Sequence, residues 1–260
     1  MILLLALFLL AFNGDAPATT SAISLPIAPH VLQQIEVRRG VWMGLSADLT
    51  LQFSSGGQSA SCQGYLTYDR LKEKVTLDCY DLKKELLFSY KTLDQDFEIY
   101  LPAQNKVVRG NIFELQYDPD TRLHLRPLDL YRALKPMLVE DRQARVTDWK
   151  ENTLKLNVLK ESDRETYVAR SLLVAKNGDV PEEIFYTPGG KPSIKITRKD
   201  FTEIKMKDLK RKVPYPRITE ILSLEENRKT VLIIRDAQFY LHPPEWPAKY
   251  LHAGVPSEKL

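Results

Sequence analysis

Between Ser46 and Phe53 apolar and polar residues strictly alternate. Ala47, Leu49, Leu51 and Phe53 fall on one side, Ser46, Asp48, Thr50 and Gln52 on the other. Successive side chains of a strand point to opposite faces, so a period of two describes a half-buried strand with one wet face and does not build the apolar stripe of a helix. The pattern recurs in Leu86, Phe88 and Tyr90, and again in Phe97, Ile99 and Leu101, with Gln95 and Glu98 outward. Turn formers separate the runs: the Gly/Ser-rich stretch 54–61, then Pro102-Ala103-Gln104-Asn105, and later Lys176-Asn177-Gly178-Asp179. Sixteen prolines and eleven glycines punctuate the chain too often for long helices.

Lys106 to Gly110 begins another strand, and a second series follows. Thr153 to Lys160 sets Leu154, Leu156 and Val158 against Lys155 and Asn157; Glu165–Ala175, Glu183–Tyr186, Ser193–Thr197, Phe201–Met206, Arg217–Leu224 and Thr230–Arg235 come after it. The expectation is about ten or eleven strands. No linker divides them, so one antiparallel sheet in a single domain over 23–260 is the economical arrangement, and a sheet of that many strands tends to curl. Two segments carry a helical period instead. Val31, Leu32 and Ile35 share one face within Ile27–Arg39. Leu130 and Leu134, joined by Tyr131 and Leu138, do so from Pro127 onward, with Pro136 ending or kinking the helix. Their apolar stripes need cover, which the concave face of a curled sheet supplies. The charged stretch 140–148 reads as loop or frayed helix. The fold class is therefore α+β, mainly β: a strongly curved antiparallel sheet with helices over its hollow.

The chain starts with an apolar run to Phe12, about half the roughly twenty residues that cross a bilayer. It matches the apolar core of a secretory signal, with Thr20-Ser21-Ala22 as a cleavage site, so residues 1–22 are expected to be removed on export. No Lys or Arg precedes the run, and a buried N-terminal strand or short helix is the competing reading. No cysteine follows it, so a lipid-modified N-terminus is not indicated. Cys62 and Cys79 flank the polar stretch 69–74. If Leu66 pairs with Val75 in a hairpin, Gly64 pairs with Leu77 and Cys62 faces Cys79, at a spacing a disulfide tolerates. Two reduced cysteines packed as small apolar groups are the alternative.

Little else suggests chemistry. His30, His124, His242 and His252 stand at no metal-binding spacing, and Gly57-Gln58-Ser59-Ala60-Ser61 lacks the second glycine of a nucleophile elbow. Asp94 and Asp96, like Asp118 and Asp120, fall in expected turns, where Asp is common for backbone reasons. The composition, 43% hydrophobic and 27% charged, allows a sizeable core, while a net charge of +3 gives no general case for nucleic acid. One local concentration of charge stands out: Lys205, Lys207, Lys210, Arg211 and Lys212. Lysines on a solvated strand edge guard against aggregation; the same residues suit anionic lipid headgroups. Phe239 and Tyr240, with Trp246 and Tyr250, either close a pocket or pack the last segment.

The order of leading helix, strand meander, central helix and second meander resembles the LolA/LolB-like periplasmic lipoprotein carriers and their outer-membrane lipoprotein-sorting relatives, from about Ile27 to Tyr250. Three stretches carry the resemblance: Gly64-Tyr65-Leu66-Thr67-Tyr68 leading to Lys74-Val75-Thr76-Leu77, Phe97-Glu98-Ile99-Tyr100-Leu101-Pro102 running on to Gly110, and Val180-Pro181-Glu182-Glu183-Ile184 with Tyr215-Pro216-Arg217-Ile218. The resemblance implies an incomplete β-barrel whose mouth is covered by helices, enclosing room for acyl chains. It implies no catalytic residue, cofactor or metal. Leu49, Leu51, Leu66, Leu77, Phe88, Phe97 and Ile99 would line the cavity, and the segments holding Val31, Leu32, Ile35, Leu130, Tyr131 and Leu134 would be its lids. The Arg-Pro pair that the best-known carriers have after this strand is absent from Tyr68-Asp69-Arg70-Leu71, so no gating role passes to Arg70. The expected protein is a periplasmic monomer that holds lipid or lipoprotein acyl chains, meets envelope transport proteins, and touches the membrane transiently. A sensor or scaffold module that fills its own cavity is the rival, and an envelope hydrolase working through carboxylates a third.

Overall fold

The computed structural model describes residues 25–26, 42–93, 95–112, 126–134, 144–150, 152–161, 165–245 and 257–259. The strands are β1 (Leu25–Pro26), β2 (Gly44–Ser55), β3 (Gln58–Asp69), β4 (Lys74–Tyr80), β5 (Leu86–Leu93), β6 (Asp96–Leu101), β7 (Lys106–Asn111), β8 (Ala144–Lys150), β9 (Thr153–Glu161), β10 (Thr166–Ala175), β11 (Glu182–Tyr186), β12 (Pro192–Lys205), β13 (Lys212–Ser223), β14 (Arg228–Tyr240) and β15 (Ser257–Lys259). The helix α1 spans Pro127–Leu134. All the strands belong to one sheet in the order β1-β8-β9-β10-β11-β12-β13-β14-β2-β3-β4-β5-β6-β7-β15. Every pairing is antiparallel except that of β15 with β7.

Two meanders are thus spliced. β2 to β7 run side by side in chain order, as do β8 to β14, and β14 pairs with β2 from Arg228 opposite Ser55 to Tyr240 opposite Gly44. The splice puts β7 and β8 near opposite edges of the sheet, and α1 lies between them in the chain. Its contacts show that the sheet bends. Arg132 lies with its guanidinium 4.4 Å from the Phe185 ring on β11. Its neighbour Tyr131 is near enough to Tyr68 on β3 and Tyr90 on β5 for its phenol, second to burial, to push both hydroxyls above the ordinary phenol range. In a flat sheet β11 and β5 would stand roughly 34 Å apart at the usual strand spacing. Two adjacent residues reach both only because the sheet curls around them.

Register aligns the inward residues into rows. Ala237, Ala47, Leu66, Leu77, Tyr90, Ile99 and Val108 are successive cross-strand neighbours. Ile234, Leu49, Gly64, Cys79 and Phe88 form the next row. The β2–β3 hairpin that starts this alignment turns through Gly56 and Gly57, with φ of 56° and 81°. A two-residue hairpin loop with both central φ positive calls for glycine or asparagine.

Several expectations change in detail. Among the described residues the strands exceed the ten or eleven expected: thirteen longer ones, with the short β1 and β15 at the flanks. Part of the charged stretch 140–148 belongs to β8, which pairs along β9. Ser193–Thr197 and Phe201–Lys205 belong to one strand, β12, which runs through Asp200 at φ 53°; Met206 follows its end in an isolated bridge to Phe239. The cysteine hairpin is shifted by two residues: Leu66 faces Leu77, and Gly64 faces Cys79. The cause is the turn. Asp69 Oδ1 accepts the amides of Leu71 and Lys72, at 3.0 and 3.1 Å, and closes the hairpin at Asp69 and Lys74. Cys62 and Cys79 still join, diagonally, with Cα atoms 5.9 Å apart. In the chain-entropy model, closing this loop stabilises the fold by about 3 kcal/mol. The leader and the helix expected at Ile27–Arg39, with Val31, Leu32 and Ile35, lie outside the described residues. So do Leu138, His30, His124 and His252.

Gly64 leaves room that the inner face needs. A Cβ there would stand 2.7 Å from Cδ1 of both Leu49 and Leu51, and 3.3 Å from Cδ1 of Leu77. Gly64→Val should therefore lower the free energy of unfolding in urea by about 1–3 kcal/mol, the usual cost of overpacking. An unchanged midpoint would show that the hollow is loosely filled.

Candidate functional site

The inner face brings together all seven residues expected to line a cavity. Leu49, Leu51, Leu66, Leu77, Phe88, Phe97 and Ile99 share one contiguous cluster, and none is more than 6% exposed. Alternation on β2 to β6 points them the same way, and the hairpin registers set them side by side. Leu130, Tyr131, Ala133 and Leu134 of α1 join the same cluster. The apolar stripe read from the sequence is thus the face that the helix buries. At one end Trp42 packs against Phe239 (4.9 Å between ring centroids), Tyr68 (5.8 Å) and Tyr215 (6.3 Å). Arg70 lies over the Trp42 ring at 5.3 Å and donates to the Trp42 carbonyl at 2.7 Å, so it fastens the β3–β4 turn to the start of β2.

A second apolar cluster occupies the same face farther along, made by Leu154, Leu156 and Val158 of β9, Leu172 and Val174 of β10, and Val180. Charged residues separate the two. Glu183, the inward residue of β11, is 2% exposed and carries an arginine on each carboxylate oxygen. Arg198 of β12 donates from Nη2 to Oε2 at 3.0 Å, and Arg170 of β10 stands 3.2 Å from Oε1. Both reach diagonally, because the residues directly opposite Glu183 are Ile196 on β12 and Leu172 on β10. Arg170 also lies over the Phe185 ring, 5.8 Å from its centroid, while Arg132 of α1 covers that ring from above. Burial holds the guanidiniums of Arg132 and Arg170 below their ordinary range. This charged island was not expected from the sequence. Its one local trace is Glu183 at an inward position beside Phe185; the arginines arrive from three other elements.

The basic segment sits at one end of the sheet. Lys207, Lys210 and Arg211 lie in the exposed turn between β12 and β13, flanked by Lys205 and Lys212 at the strand ends. The turn folds onto the end of β14: Asp208 Oδ2 accepts the Leu241 amide at 3.1 Å, and Lys207 Nζ stands 5.5 Å from the centre of the Tyr240 ring. Lys212 meets Glu203 at 3.7 Å in a wet pair, which contributes little to stability. The β3–β4 turn lies at the same end and exposes Leu71 to 69%. A polar pocket of about 250 Å³ opens there on the outer face, between Thr67, Asp69, Lys72 and Lys74 on one side and Pro244 and Glu245 on the other. His242 is exposed. Among the described residues, no three His, Cys, Asp or Glu side chains gather as a metal site.

Removing one partner of a buried ion pair strands the other charge, at a cost of about 3–5 kcal/mol. Glu183→Gln should lower unfolding stability by that amount, as read from urea denaturation with the slope unchanged. A loss under about 1 kcal/mol would mean that water already solvates Arg170 and Arg198.

No family model matches the chain, and no curated protein matches it by sequence. Solved structures do match in fold. An outer membrane lipoprotein-sorting protein domain from Vibrio parahaemolyticus superposes with a TM-score of 0.59 at 14% identity, over 83% of this chain and 93% of that one. A DUF1329 family protein from Desulfovibrio piger gives 0.57 at 13%, over 81% and 90%. A LolA superfamily protein from Nitrosomonas europaea gives 0.57 at 12%, over 83% and 94%. The open, curled sheet of this chain is the fold of those lipoprotein-sorting and LolA superfamily structures.

Proposed function

We propose that the protein is a non-enzymatic carrier of the envelope that holds lipid or lipoprotein acyl chains against the inner face of its sheet. The observation that carries this reading is the large apolar cluster on the inner face of an unclosed sheet, joined by a short amphipathic helix, in a chain that shares its fold with a lipoprotein-sorting protein. Each methylene moved from water to such a face contributes about 0.8 kcal/mol, so a dozen hold a chain with no specific polar contact. The lining residues are nearly inaccessible. Cargo therefore enters only when what covers them swings away, and α1, eight residues long, is the described segment suited to move as a lid. A periplasmic site of action, reached through the apolar leader, belongs to the same proposal, as does a monomeric state. Among the described residues no helix is long and apolar enough to cross a membrane.

Native mass spectrometry of the protein purified from the envelope fraction of its host should show adducts of lipid mass that disappear after delipidation. The near-complete burial of the lining favours a second reading, a scaffold or sensor module whose hollow is filled by its own side chains. Adduct-free protein that also takes up no lipid from micelles would decide for that module.

The basic end serves the carrier as a place to meet a membrane. Lys207, Lys210 and Arg211 project together, and basic residues near an anionic surface contribute about 1 kcal/mol each. The triple change Lys207→Gln, Lys210→Gln, Arg211→Gln should weaken sedimentation with phosphatidylglycerol vesicles by about 100-fold at low salt. It should leave the weak association with phosphatidylcholine vesicles unaltered. Equal loss on both lipids would remove the electrostatic role.

A further inference from the structure

The charged island on the inner face carries more positive charge than its own carboxylate offsets. Glu183 has both oxygens occupied, one by Arg170 and one by Arg198. Arg198 is 3% exposed, and its Nη1 has no acceptor among the described residues. A buried guanidinium nitrogen without a partner is costly, because it has surrendered its water and received nothing in return. Arg132, half-buried on α1, meets no described carboxylate within ion-pair distance; its described contact is the Phe185 ring. The nearby Asp129 has Oδ2 taken by Arg126 Nε at 2.8 Å. Asp129 and Glu183 both act on Arg132, so with Arg126 counted four guanidiniums face two carboxylates, a surplus of two positive charges among the described residues around Phe185.

We propose that Arg132, Arg170 and Arg198 form a binding site for a phosphate monoester or inorganic phosphate, seated between α1 and the sheet beside the Phe185 ring. A phosphate monoester carries about −1.5 to −2 charge near neutral pH and offers three acceptor oxygens. That matches the surplus, and the planar fork of arginine suits phosphate oxygens. The site lies where the two apolar clusters meet, so a phosphate head placed there leaves apolar chains to run along either. Burial already disfavours the charged forms of Arg132 and Arg170, and an anion between them relieves that cost. In its lipid form the proposal rests on the carrier reading and deepens it, by naming a phosphate-headed amphiphile as cargo. The site itself does not need the lipid.

The test uses the full chain and three probes with no other change: dioleoyl phosphatidic acid, dioleoylglycerol with the same chains and no phosphate, and inorganic phosphate. Binding is followed by titration with native mass spectrometry. Phosphatidic acid should bind at least tenfold tighter than dioleoylglycerol, and inorganic phosphate should compete with it. Arg132→Gln should weaken phosphatidic acid at least tenfold more than dioleoylglycerol, and Arg132→Lys should recover part of the loss. Equal binding of the two lipids, with no effect of phosphate, overturns the anion site and leaves the carrier. Phosphate bound through Arg132 with neither lipid bound keeps the site and overturns the carrier. Binding of none of the three overturns both. The comparison of lipids on the unaltered protein stands even if a variant fails to fold.

Discussion

The ladder between β14 and β2 is the constraint from which the rest of the architecture follows. It joins the last long strand of the second meander to the first of the first, so two local chains of hairpins become one sheet with one inner face. Without it each meander would present its own apolar side and its own pair of raw edges. With it, β7 and β8 are driven to far sides. Leu130, Tyr131 and Leu134 of α1 bury themselves in the cluster that the first meander's inward residues form. A helix of eight residues is too short to hold its shape by propensity alone; packing against the curl supplies what propensity lacks.

Most of the strands could be read locally because alternation is a property of neighbours. Ser46–Phe53 and Phe97–Leu101 announce themselves in any window of eight residues. What failed to show depends on partners or on single backbone angles. Ala144–Lys150 contains an arginine, an aspartate and a lysine, and a register shift between Val146 and Asp148 spoils its period; only β9 beside it makes it a strand. Polar Arg198-Lys199-Asp200 separates the apolar halves of β12, yet the left-handed Asp200 leaves the pairing with β13 in one register on both sides of it. The cysteine hairpin was misaligned because the side chain of Asp69, not the hydrophobic pattern, sets where the turn begins. That Leu49, Leu51, Leu66, Leu77, Phe88, Phe97 and Ile99 share one inner face was therefore legible, since it follows from alternation and register together. The charged island was not. Its members come from α1, β10, β11 and β12, and no spacing in the sequence connects Arg132 to Arg198.

That island also changes how the inner face should be thought of. A uniformly apolar hollow would grade ligands by length alone, since each methylene contributes the same amount wherever it lies. On the carrier reading proposed above, charges fixed midway would impose a position: a cargo with a polar head would have one place to put it, and a cargo without one would leave desolvated guanidiniums uncovered. The large apolar cluster and the small one then become two chambers on either side of a polar waist. Glu183, Arg170 and Arg198 stand on strands, whereas Arg132 belongs to α1, so the island is part fixed and part carried by the helix.

A sheet that curls without closing still has two raw margins, and each margin here is occupied by a scrap of chain. Leu25–Pro26 lies along β8, and Ser257–Lys259 lies along β7 in the parallel sense. Exposed backbone amides and carbonyls at such margins recruit strands from other molecules. These scraps act as stoppers, and they let the barrel stay unfinished. A closed barrel would fix its bore; a stoppered half-barrel carries no such constraint.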